Sequence, residues 1–317
     1  MLMIRCCVIS LWILLLISCT KHEQIEYHDF IKISDKELSG IWFTDSRQAY
    51  VVGGTTWSAG ITASTQDTWK HWQVDSLSDK ELFCIYGTSG GQVIGMGIEL
   101  WAYHLNESPL RIQKLKHTGS FRFIRSIAAF NDQLIMAVNA NGTGSIERFS
   151  IYADSTQTVF ESRHELNAIC YIDSSNWLAA GYGLVVHSNN AGKHWDTLDI
   201  SGDQFVDFSK TAQGNLFMLG VAGTVYKIVA NPVRFIKIRK GGIIGSRAPL
   251  KAICFKNEKE GMIAGENGTI LITRNSGDDW IVLDDLPVFD VKDIYFDGTY
   301  YWLCGSEGSI MSLDINN

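Results

Sequence analysis

A chain of 317 residues, 46% apolar and 19% charged with a formal net charge of −7, is long enough to enclose one large core and offers nucleic acid no basic face. Nucleic-acid binding is therefore disfavoured, and with four prolines and no Pro/Ser-rich or low-complexity tract nothing marks a second domain.

The first element is an export signal. Met1–Ser18 carries one early charge, Arg5, followed by an apolar run from Cys6 to Ile17 that is too short to favour a permanent span. The run ends in Leu16-Ile17-Ser18-Cys19, which resembles the bacterial lipobox. That resemblance implies cleavage before Cys19 and acylation of its thiol, a firm membrane anchor without a transmembrane helix; the alternative is a simple cleaved signal or an uncleaved anchor helix with Cys19 incidental. The next residues, Thr20-Lys21-His22-Glu23-Gln24, lack the Asp associated with inner-membrane retention, so the expected location is the outer membrane. Residues 1–18 are thus read as signal, 19–24 as a short linker and 25–317 as one domain.

Within that domain a short apolar segment recurs seven times: Leu38–Phe43, Leu82–Tyr86, Ile124–Phe130, Leu166–Tyr171, Phe205–Phe208, Leu250–Phe255 and Val291–Phe296. Where the central Ile of consecutive copies can be compared, it recurs at 44, 42, 42 and 41 residues. That is the period of a propeller blade. Each copy leads to a second apolar run ending in glycine, then a glycine-bracketed turn such as Gly220–Gly223, Gly265–Gly268 or Gly305–Gly308, then a third strand. Glycine is expected there because a tight hairpin needs positive φ. Recurrence in successive copies favours this over a phosphate cradle or RNA clamp.

A fourth element ends in tryptophan: Ser64–Trp72, Ser188–Trp195 and Thr273–Trp280. These segments resemble degenerate Asp-box (BNR) turns, Ser-x-Asp-x-Gly-x-Thr-Trp, of sialidase, sortilin-type and photosystem II assembly factor-type propellers. The resemblance implies an all-β, single seven-bladed β-propeller; copies two, three and five lack a box, which leaves six or eight blades as alternatives. The last copy stops after its third strand. The alternating segment Ile25–Ile33 is available to pair into it and close the ring.

No catalytic set is legible. A sialidase-like hydrolase, the alternative function, implies an arginine triad, a Tyr–Glu nucleophile and an Asp acid/base, and no Arg-Ile-Pro-like start marks the first blade. The pairs Asp278-Asp279 and Asp284-Asp285 read as solvated turns. His71, His187 and His194 have no ligand spacing, and Cys84, Cys170, Cys254 and Cys304 form no CxxC pair, so neither a metal nor another cofactor is expected. What remains is binding of an envelope protein or glycan, or a purely structural envelope role. Two segments on the face of the blade-to-blade connections are the candidates: the basic loop with Arg239, Lys240 and Arg247, suited to a carboxylate or acidic partner, and Trp57 in a long first-blade turn.

Overall fold

The computed structural model describes residues 21–67, 69–117, 121–130, 133–230, 232–242 and 248–315. They form seven β-sheets in a ring, a seven-bladed β-propeller. All seven recurring segments are the inner strands: Glu37–Phe43 (blade 1), Leu82–Gly87 (blade 2), Phe123–Phe130 (blade 3), Leu166–Tyr171 (blade 4), Phe205–Lys210 (blade 5), Leu250–Phe255 (blade 6) and Val291–Phe296 (blade 7). Each sheet runs outward as an antiparallel meander, so inner-strand starts, second-to-third-strand turns and blade-to-blade connections share one face, here the connection face. The Trp-ending turns lie on the opposite face.

Blade 7 is closed as the alternation predicts: Tyr27–Lys32 pairs antiparallel with Ser309–Leu313 as its outermost strand. The segment read as linker does more than connect. Lys21–Gln24 is the fifth strand of blade 6, lying parallel to its fourth, Ile281–Asp284.

The central residues of the second strands are apolar because both of their faces are buried. In blade 4, Trp177 and Ala179 face blade 3, whereas Leu178 and Ala180 face blade 5, the period-two alternation of a strand between two neighbours. The core accordingly consists of seven apolar layers, one between each pair of adjacent blades. Between blades 5 and 6, Phe217 stacks on Phe255 with centroids 3.6 Å apart. Each such side chain contributes roughly 1.5–3 kcal/mol when enclosed, and no blade supplies both walls of its layer.

The glycines ending the second strands are required for a different reason from the one the sequence suggests. Gly265 and Gly305 are extended, with φ of −171° and 179°. A Cβ on Gly265 would lie 2.0 Å from the Pro249 carbonyl oxygen, and one on Gly305 1.8 Å from that of Asp290. The close approach excludes a side chain. Positive φ belongs to the second glycine of each bracket, Gly223, Gly268 and Gly308 at 90°, 65° and 64°.

The Trp-ending turns share one hydrogen-bond pattern. Ser188 Oγ accepts from the Gly192 N–H (2.8 Å) while Asn190 Oδ1 accepts from that of His194 (2.8 Å). Thr273 Oγ1 and Asn275 Oδ1 do the same for Gly277 (2.9 Å) and Asp279 (2.9 Å). Trp195 and Trp280 then pack between their own blade and the preceding one.

Candidate functional site at the basic mouth of the channel

The inner strands do not run straight into the channel. In every blade the register with the second strand slips by one residue at the same place, leaving Ser39, Phe83, Arg125, Asn167, Val206, Lys251 and Lys292 unpaired. A β-bulge re-aims the side chain it frees. All seven line a central cavity of about 580 Å³, and they form its rim on the connection face. Three are cations. Lys251 lies 3.2 Å from Glu266 and Lys292 3.5 Å from Glu37. Arg125 instead rests on aromatic rings, 4.7 Å from the centroid of Phe83 and 5.6 Å from that of Phe123, a weakly hydrated cation held on π faces.

One step further in, the carboxylates of Asp207 and Asp293 are enclosed. Asp293 accepts from its neighbour Ile294 (2.8 Å) and from Ile41 of blade 1 (2.9 Å). Asp207 does likewise for Phe208 (2.7 Å) and Ile253 of blade 6 (2.9 Å). Ser126 occupies the same ring position and accepts from Ile169 of blade 4 at 3.3 Å. These groups pin blade to blade. Burial raises the Asp293 carboxyl to about 6; burial, reinforced by the Asp293 charge, holds Asp207 well above the carboxylate range.

The far end of the channel is aromatic. Trp42 lies 5.3 Å from Tyr86 and 5.2 Å from Tyr295, and the Lys210 ammonium sits 3.9 Å from the Tyr171 ring centroid. Lys210 also donates to the Ile172 carbonyl (2.9 Å); burial lowers its pKa.

Of the residues singled out in sequence, Trp57 joins the basic mouth. It sits at φ 62° in the turn between the second and third strands of blade 1 and is 51% exposed. Its ring meets Phe121 at 4.8 Å and Phe123 at 5.8 Å, both edge-on, and Phe123 meets Phe83 at 6.3 Å. Phe121 is 53% exposed. The result is an aromatic strip running from the rim of blade 1 to Arg125. Thr56 anchors the turn by donating to the buried Glu81 carboxylate (2.5 Å), whose pKa is raised by burial against the pull of that bond.

Arg239 and Lys240 lie on the same face at the blade 5–6 connection but do not line the channel. Arg239 donates to the Gly223 carbonyl, so its guanidinium braces a turn. Lys240 is exposed. Arg247 and Cys19 lie outside the described residues.

Among the described residues no three His, Cys, Asp or Glu gather as metal ligands. His187 bonds Asn176 at 3.1 Å, and His71 and His194 pair with Asp67 and Asp196 at 2.5 and 3.3 Å. Among the described residues the cysteines are free, Cys170 and Cys304 buried and Cys84 and Cys254 half-buried, and burial raises all four thiols.

No protein-family model matches the chain, and no curated sequence is similar to it. Its likeness is to solved propellers. A structure of YCF48 bound to a D1 peptide superposes with a TM-score of 0.69 at 15% identity over 94% of this chain and 100% of that one. YCF48 from Cyanidioschyzon merolae gives 0.66 at 11% identity over 91% and 99%. The WD40 propeller of Doa1 gives 0.69 at 10% identity over 92% and 97%. At such identities the likeness establishes the fold alone.

Proposed function

We propose that this chain is a lipid-anchored envelope propeller that holds an extended, acidic segment of a partner protein across its basic mouth, without catalysis. The observation that carries this reading is the strip from Trp57 through Phe121, Phe123 and Phe83 to Arg125, exposed at its outer end and charged at its inner end. Exposed aromatics beside an arginine are what interface hot spots are made of. Lys251 and Lys292 continue the rim, each beside the glutamate that it would share with or exchange for an acidic partner. The peptide described with the similar YCF48 propeller supports a segment, rather than a folded domain, as the occupant. The hydrogen-bond pattern of the Trp-ending turns supports reading them as degenerate Asp-boxes, and the Ser18-Cys19 junction supports the anchor. Asp207 and Asp293 engage both oxygens with backbone N–H groups, which favours binding over a sialidase-like hydrolysis.

The test is selection of random displayed peptides on the purified protein, followed by affinity measurements. Selected peptides should be acidic with an aromatic or apolar residue, and Trp57→Ala and Arg125→Ala should each weaken them about tenfold, the loss of one hot-spot side chain. Peptides that bind both variants as tightly as the parent would overturn the reading. Changing Lys240 to Ala in parallel weighs the basic loop against the mouth.

A further inference from the structure

The strand Lys21–Gln24 is parallel to the outer strand of blade 6, with Lys21 opposite Ile281 and Gln24 opposite Asp284. Its direction is therefore fixed: the chain enters at the end of blade 6 that carries the turn Arg274–Trp280, on the face opposite the basic mouth. Side chains hold it there. Lys21 Nζ lies 2.8 Å from Asp279 Oδ2, His22 Nδ1 2.7 Å from Asp284 Oδ2, and Glu23 is gripped by Arg274 at 2.7 and 2.8 Å. Arg274 in turn donates to the Ile315 carbonyl at 2.9 Å, tying the entering strand to blade 7 as well.

We infer that the face bearing the blade 6 turn Arg274–Trp280 is the surface the propeller presents to a lipid bilayer, leaving the basic mouth turned away from the membrane. The inference rests on acylation of Cys19, part of the function proposed above. Only Thr20 separates Cys19 from Lys21, so their Cα atoms are at most about 7 Å apart. A tether that short cannot pass round the rim of the disc. The surface beside it is polar, with Asn275, Asp278 and Asp279 exposed on the turn and Lys259 on the neighbouring one, so the contact is with headgroups rather than by insertion into the acyl region. Partners then approach the Trp57–Arg125 strip from the aqueous side without competing with the anchor.

The experiment uses the full chain, matured in a host that acylates it and reconstituted in phosphatidylethanolamine/phosphatidylglycerol vesicles containing brominated lipid. Asp278→Cys on the turn and Val288→Cys, 77% exposed at the blade 6–7 connection on the mouth face, each carry an environment-sensitive fluorophore; the parent carried through the same labelling gives the background from the half-buried Cys84 and Cys254. The label at 278 should be quenched at least twofold more than the label at 288. Adding Arg274→Ala, which frees the strand and lengthens the tether, should shrink that difference. Equal quenching, or stronger quenching at 288, in a protein whose mass spectrum shows acylated Cys19 would overturn the orientation alone. A Cys19 found without acyl chains would overturn the anchor and, with it, this inference.

Discussion

Arg274 grips Glu23 through both arms of its guanidinium, Nη1 to Oε2 at 2.7 Å and Nη2 to Oε1 at 2.8 Å, across 251 positions of sequence. The pair joins the entering strand to blade 6, and the same arginine reaches the Ile315 carbonyl of blade 7. Both side chains are about one third exposed, so the pair contributes only about 1 kcal/mol to global stability.

Its larger effect is local, which leads to the first prediction. The Arg274 hydrogen bond lowers the Glu23 pKa. A lowered carboxyl stabilises above its unfolded value, about 4.3, and that stabilisation fades as pH falls through the folded value. Protection of the amides of residues 21–24 from exchange, taken relative to the unstructured rate at each pH, should therefore be high at pH 7 and fall on acidification below about 4. In Glu23→Gln that protection should be low at both pH values, with the inner strands unchanged. High protection in the variant would show that backbone pairing alone holds the strand.

A second prediction concerns Asp293. Its pKa is raised to about 6 by burial, so folding favours the protonated acid. The stabilisation is complete below the unfolded value near 3.9 and is lost as pH rises through about 6, a loss of about 3 kcal/mol for two pKa units. Asp207 acts in the same direction. Asp293→Ser keeps an acceptor for the next blade, as Ser126 does for Ile169, and removes the titration. Urea midpoints at pH 5 and pH 8 should differ less in the variant than in the parent; equal differences would mean Asp293 is not the source.

How far the sequence carried the fold follows from where its signal is periodic. The inner strands and the closing strand were legible because each repeats an apolar pattern, and Trp57 stood out as an aromatic in a long turn. The bulges were not legible. Simple alternation puts Arg125, Lys251 and Lys292, each two residues before its central Ile, on the same side of the strand as that Ile, and only the one-residue slip after Ile124, Leu250 and Val291 turns all three into the channel. A clue was present: the second-strand glycines Gly265 and Gly305 face those slips. Phe121 and Phe123 lie outside any repeat motif, and their meeting with Trp57 spans more than sixty residues, a distance no local pattern reports.

Those glycines give a third prediction. Gly265 is extended, but a Cβ there meets the Pro249 carbonyl oxygen at 2.0 Å. Gly183 has φ 62° with nothing within 4 Å of a built Cβ. Gly265→Ala must push apart two strands next to a bulge and should cost about 3 kcal/mol or more. Gly183→Ala carries only left-handed backbone strain, about 1 kcal/mol. Thermal melts should rank them in that order, and the reverse ranking would refute crowding as the reason for the strand-end glycines.

The Trp-ending turns supply the last prediction. Ser188 is 1% exposed and its Oγ accepts from the enclosed Gly192 N–H at 2.8 Å while donating to Asn190 Oδ1 at 3.0 Å. From blade 3, Arg148 reaches the Ala191 carbonyl at 2.7 Å, so the turn also fastens two blades. Ser188→Ala leaves a buried N–H without a partner and should cost about 1–3 kcal/mol. Ser188→Thr should be close to neutral, because Thr65 and Thr273 fill the equivalent position in blades 1 and 6 and make the same hydroxyl contact, to Asp67 at 3.1 Å and Asn275 at 3.0 Å. Denaturant midpoints of the two variants separate the hydroxyl from the space it occupies: if Ala and Thr shift stability alike, the hydrogen bond is not what holds the turn, and the packing of Trp195 between blades 3 and 4 takes its place.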